Sequence, residues 1–149
     1  MTRPGPKRNL AASVRDRLSK LGRARNEDPN FLLNRYAMER FLYRLSRSAH
    51  EPQFVLKGAM LFTVWSGHPH RATEDIDLLG TGAPDLTRLA QIFRDVCSVT
   101  VEDAGLTFDA ASVATTRIKE DANYEGVRDQ FGGTLGTAVL NLQVDTWIR

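Results

Sequence analysis

Apolar residues recur every three or four positions at Leu10, Val14, Leu18 and Leu21, which marks one face of an α-helix. Asn9 suits the N-cap before it, and Gly22 lies near its end. Asn26-Glu27-Asp28-Pro29-Asn30 breaks the period. A second helix is expected from about Phe31 to Ser46, with Leu32, Tyr36, Ala37, Phe41, Leu42 and Leu45 as a broad apolar stripe. Arg35 and Glu39 sit four apart on its outer side, where such a pair contributes about 0.3 kcal/mol.

Shorter elements come next. Phe54-Val55-Leu56 reads as a buried strand, residues 58–65 as the helix leaving it, and residues 66–70 as a loop. Asp75 to Leu79 is the next strand, and Gly80-Thr81-Gly82-Ala83-Pro84 is a turn. Asp85 is a fair N-cap for a helix to about Val99, whose apolar face is Leu86, Leu89, Ile92, Phe93, Val96 and Cys97. Leu106-Thr107-Phe108 and Val113 to Ile118 read as strands. A hairpin closes the chain, with arms at Tyr124–Leu135 and Thr137–Ile148 and a turn at Gly136. In its second arm Leu140, Leu142 and Val144 share one face, while Asn141, Gln143, Asp145 and Trp147 share the other. The expected fold is an α/β (α+β) domain over residues 9–149. It has a mixed, partly antiparallel sheet with packed helices and two N-terminal helices, preceded by a basic Pro/Gly arm at residues 1–8.

Composition narrows the class. A chain of 149 residues can bury a real core, and 42% hydrophobic with 26% charged residues matches a soluble globular protein. The longest apolar runs, such as Ala59 to Trp65, are too short to span a bilayer. No apolar stretch comes after the basic start Met1-Thr2-Arg3-Pro4, so no signal peptide is expected. The single Cys97 leaves no internal disulfide and is expected as a buried, inert thiol in a reducing compartment. The expected location is the cytoplasm, with no membrane partner.

The net charge of +2 hides an asymmetry. Residues 1–50 carry 12 Lys/Arg against 4 Asp/Glu, and residues 51–149 carry 8 against 14. A basic N-terminal third is either an electrostatic footprint for RNA or the solvated faces of two amphipathic helices. Both readings stand at this point.

Candidate chemistry centres on Arg71-Ala72-Thr73-Glu74-Asp75-Ile76-Asp77-Leu78. Side chains at i and i+2 of a strand project to one face, roughly 6–7 Å apart at Cα. Asp75 and Asp77 can therefore converge on a divalent cation while Ile76 and Leu78 enter a core. Mg²⁺ accepts few protein carboxylates and completes its octahedron with water and phosphates, so a strand-borne Asp-x-Asp suggests phosphoryl or nucleotidyl chemistry. The competing reading is a pair of solvated turn carboxylates. Asp145 is a third carboxylate, lone on a strand whose other face is oily. The junction Lys57-Gly58-Ala59 would open a helix whose free N–H groups suit phosphates, and Gly58 admits close approach to the backbone. Lys57 either neutralises a phosphate or snorkels from a strand end. His68 and His70 read as solvated loop residues, Phe62 and Trp65 as core. Trp147 shares the face of Asp145 and could cover a nucleobase or shield an edge.

The segments Phe54-Val55-Leu56-Lys57-Gly58-Ala59-Met60-Leu61, Arg71-x-Thr73-x-Asp75-Ile76-Asp77-Leu78 and Leu142-Gln143-Val144-Asp145 carry a resemblance. In this order they resemble the DNA polymerase β-like nucleotidyltransferases, and within them the AbiEii-type toxins of abortive-infection, type IV toxin–antitoxin systems. The paired N-terminal helices, with Arg35-Tyr36-Ala37-Met38-Glu39-Arg40, are also similar. The likeness spans roughly residues 8–145 and implies Asp75, Asp77 and Asp145 as catalytic, metal-binding residues for one or two Mg²⁺ ions. It implies Lys57, Gly58, Ala59, Arg71 and Thr73 on the nucleotide. Family members transfer a nucleoside monophosphate from an NTP to a tRNA 3′ end or a protein side chain, and a cognate antitoxin neutralises them.

The pattern departs at two places. Ala59 stands where many superfamily members have serine, and Thr146-Trp147-Ile148-Arg149 replaces a glycine-containing run after Asp145. The chain is expected to be the catalytic-core half, without the helical C-terminal half of the family. An alternative is a catalytically incomplete module that binds an antitoxin or RNA. A third reading is a metal-dependent nuclease or phosphohydrolase using the same carboxylates.

Overall fold

The structure is a computed structural model that describes residues 9–56, 75–120 and 123–149. Two helices, α1 (Leu10–Arg25) and α2 (Pro29–Ser46), lead into β1 (Phe54–Leu56). Then come β2 (Asp75–Gly80), α3 (Leu86–Cys97), β3 (Leu106–Phe108), β4 (Ala114–Glu120), β5 (Glu125–Leu135) and β6 (Ala138–Ile148). This is the mixed α/β architecture expected from the periodicity.

Local chemistry sets the element ends. The Asn9 carboxamide accepts from the Ala12 N–H, Asp28 from Asn30 and Asp85 from Thr87, so each helix begins on a side-chain cap. α1 runs past Gly22 to Arg25, because Asn26 adopts the left-handed conformation at φ 54° and its N–H reaches back to Arg23 and Gly22 carbonyls. Pro29 opens α2 two residues before Phe31, since its missing N–H costs nothing in the first turn. α3 stops at Cys97, two residues before Val99. β4 starts one residue after Val113 and runs to Glu120, and the hairpin arms shorten by one residue at Tyr124 and Thr137. Gly136, at φ 61°, makes the hairpin turn in a backbone region that a side chain disfavours.

Among the described residues the sheet order is β1-β2-β6-β5-β3, with β4 also on β5. β2 and β6 run parallel, and every other pair is antiparallel. One face of this sheet is sealed by helices. Ile76, Leu78, Leu140, Leu142, Val144, Val127 and Phe131 are buried there against α2 and α3. Phe41 of α2 lies at the centre, with its ring 4.7 Å from Phe131 and 5.7 Å from both Phe93 and Phe108. Arg44 of α2 donates to the carbonyls of Cys97, Val99 and Leu106 and lies over the Phe108 ring, so it ties α2 to the ends of α3 and β3. Part of the basic N-terminal third is thus spent internally: Arg44 on those carbonyls, Arg35 on Glu39 at 3.2 Å and Lys20 on Asp16 at 3.0 Å. The Cys97 thiol is buried and pushed up to about 12 by desolvation, as an inert structural cysteine should be. No described helix is long and apolar enough to cross a membrane.

Candidate nucleotidyl-transfer site

The face of the sheet that no described helix covers carries the candidate residues. β2 and β6 are adjacent and parallel, and their register makes Asp77 the Cα partner of Asp145 and Asp75 the partner of Gln143. Residues paired this way project to the same face, with neighbouring strands about 4.8 Å apart. Two carboxylates 68 positions apart in sequence are therefore side by side. Asp75 stands two residues before Asp77 on the same strand, so its backbone position completes a row of three on one face. The alternation that aims these residues outward also aims Ile76, Leu78 and Val144 into the core, where each is at most 1% exposed.

Two same-face neighbours hold the carboxylates. Arg128 of β5, the Cα partner of Asp145, donates from Nε and Nη2 to its two oxygens at 2.9 and 3.1 Å. This planar fork fits a carboxylate and fixes the Asp145 rotamer. The Asp145 side chain is 9% exposed and that of Arg128 is 35%, so the pair sits at a half-dry rim. The Trp147 indole Nε1 donates to the Asp77 Oδ1 at 3.3 Å. Gly126 on β5 lets that indole lie close: a Cβ there would stand 2.7 Å from its ring. Trp147, expected to cover a base or shield an edge, is observed positioning Asp77.

Arg128 and Gly126 escaped the sequence reading. A period-2 count from Asp145 identifies the polar face of β6, but only the register of the hairpin puts Arg128 opposite Asp145. Once the turn is placed at Gly136, the pairing emerges by counting back along both arms, so a signal was present.

The neighbouring residue Asp129 faces the opposite way. It is fully buried on the helix-covered side, where its Oδ1 accepts a 2.5 Å hydrogen bond from the Thr115 hydroxyl. Desolvation pushes its carboxyl up to about 7, against the smaller opposing effects of the Thr115 bond and the Arg94 charge. Among the described residues, its Oδ2 and the Thr146 hydroxyl are buried without hydrogen-bond partners.

Lys57, Gly58, Ala59, Arg71 and Thr73, expected on the nucleotide, lie outside the described residues, as do Phe62, Trp65, His68 and His70. The donors that are described suit a hard cation. Asp77 and Asp145 are Cα partners on one strand face, and carboxylate oxygen is the donor type that Mg²⁺ prefers, although among the described residues no cluster of three such side chains is formed.

Over residues 40–149 the sequence matches the nucleotidyl transferase AbiEii toxins of type IV toxin–antitoxin systems. The chain belongs to that family. The match runs from the middle of α2 to the last residue, and so contains β2, β5 and β6 with both described carboxylates. Comparison with curated proteins and with solved structures gives no match. Membership in the AbiEii family supports a nucleotidyl-transfer toxin role and implies an antitoxin and a nucleotide as partners.

Proposed function

We propose that this domain transfers a nucleoside monophosphate from an NTP to an RNA acceptor such as a tRNA 3′ end, or to a protein side chain, and thereby acts as the toxin of a toxin–antitoxin or phage-defence pair. The observation that carries this reading is the pairing of Asp77 with Asp145 across parallel strands, two residues along from Asp75. A displacement at phosphorus needs negative charge neutralised on the triphosphate and an acceptor hydroxyl held in line with the leaving pyrophosphate. Asp75, Asp77 and Asp145 supply the oxygens that would hold Mg²⁺. The ion would offset phosphate charge and lower the cost of ionising the acceptor hydroxyl.

The protein's own groups do the rest. Asp145 is on the β6 side of the row, where it can receive the acceptor proton, and Arg128 keeps its carboxylate in one orientation until substrate arrives. Trp147 does the same for Asp77. Lys57, Gly58, Ala59, Arg71 and Thr73 are the proposed triphosphate contacts.

The test is label transfer. The protein is incubated with each α-labelled NTP, Mg²⁺ and total RNA or lysate, beside Asp77→Asn and Asp145→Asn variants. Transfer by the parent chain and a loss of at least about a thousandfold in each variant is the expected result. Equal labelling by Asp77→Asn, or none by the parent, rejects the reading. Pyrophosphate release without a labelled acceptor would point to hydrolysis instead.

A further inference from the structure

A cavity of about 530 Å³ opens at Gln143, two residues along β6 from Asp145, and its lining is unlike the carboxylate row. Gln130 and Gly132 of β5 and Asn141 and Gln143 of β6 contribute from the sheet, with Asn34 of α2 and Ser112 at the sides. Gln130, Asn141 and Gln143 fall on the same strand face as Asp145 by alternation, and Gln143 is the Cα partner of Asp75. The cavity therefore abuts the candidate site on its β6–β5 side.

The described lining is neutral. Phosphates seek Arg, Lys or helix N-termini, so a neutral, amide-rich cavity of this size suits the uncharged part of a nucleotide. The Gln130 amide donates to the Gln143 carbonyl oxygen at 3.1 Å. That bond leaves the Gln130 carbonyl as acceptor and the Gln143 NH₂ as donor, with the whole Asn141 amide next to them. Paired donors and acceptors from Asn and Gln are the chemistry that reads a nucleobase edge.

We infer that the amide-lined cavity formed by Gln130, Asn141 and Gln143 receives the terminal base of a single-stranded RNA acceptor and selects it. The inference rests on nucleotidyl transfer at Asp77 and Asp145. It adds that the acceptor is RNA and that its last base is held beside Gln143, on the β6–β5 side of the carboxylates.

The experiment is fluorescence anisotropy of the full chain with labelled tetraribonucleotides of A, C, G and U, with Mg²⁺ present. A fluorescent non-hydrolysable NTP is titrated in parallel. The variants are Gln130→Leu and Asn141→Leu, both at exposed positions where circular dichroism can confirm the fold. The parent chain is expected to prefer one oligonucleotide. Each variant should weaken that complex about tenfold and level the preference, leaving NTP affinity unchanged. Unaltered oligonucleotide binding in both variants overturns the inference. So does a loss confined to the NTP titration, which would assign the cavity to the incoming base, or label transfer to protein alone that both variants retain. Failure of the underlying transfer reading is separately visible, because the parent chain would then neither bind the NTP nor transfer label.

Discussion

Asp145 and Asp129 occupy adjoining strands of one hairpin, yet they have opposite fates. Asp145 points to the face that no described helix covers, where it is nearly buried and forked by the half-exposed Arg128. Asp129 points under the helices, with one oxygen on Thr115 and the other without a partner among the described residues. The same functional group is forked by a guanidinium in one place and is an acid pushed up to about 7 by burial in the other. What differs is the face of the sheet, and on the covered side desolvation penalises the carboxylate form of Asp129. Titratable side chains in this fold take their chemistry from which side of β5 and β6 they fall on.

The sharpest way to break that contrast is to open the covered face. Phe41→Ala removes the ring that meets Phe93, Phe108 and Phe131, and should cost about 3–5 kcal/mol in urea unfolding. Should it cost under about 1 kcal/mol, the helix-covered face is not the stabilising core.

Asp129 comes next. Its folded carboxyl is raised to about 7 from a usual 3.8, so between those values the folded state holds a proton that the unfolded chain has lost. Stability from this group is present at low pH and is lost as pH rises through that window. Asp129→Asn, which cannot ionise, should flatten the decline and exceed the parent at pH 8 by on the order of 2–3 kcal/mol. Parallel pH profiles for the two proteins would show that Asp129 is not the buried acid described.

Arg128→Gln tests the other carboxylate. Losing the fork leaves Asp145 unpaired at the rim, and water reaching the site limits the cost to about 1–2 kcal/mol. Millimolar Mg²⁺ should restore part of that in thermal melts, because a cation can stand in for the guanidinium. A Mg²⁺ effect of equal size in the parent and the variant would separate Arg128 from the metal site.

The smallest effect lies far from both faces. Glu39→Ala removes the exposed pair with Arg35 and should cost about 0.3 kcal/mol with no change in transfer. A loss of label transfer there would place α2 in acceptor binding.

Helices and hairpin were legible in the sequence because each is a local pattern. Val14 and Leu18 repeat with the helical turn, Asp85 caps the helix that starts at Leu86, and Leu140, Leu142 and Val144 alternate with Asn141, Gln143 and Asp145. The Asp75/Asp77 pair was equally legible, since i and i+2 share a strand face wherever the strand ends up. The ends of elements were less so. Asn26 closing α1 and Pro29 opening α2 depend on single backbone choices that a hydrophobic period does not record.

The sequence by itself determined the described helices and strands, the faces of each strand and the family over residues 40–149. Tertiary structure alone decided that β6 runs parallel to β2 in the register that sets Asp145 beside Asp77, that Arg128 and Trp147 grip the two, and that Asp129 is sealed away from them. Alternation along a strand is a property of one chain segment, whereas register between strands distant in sequence is chosen by the packing of the whole sheet against its helices.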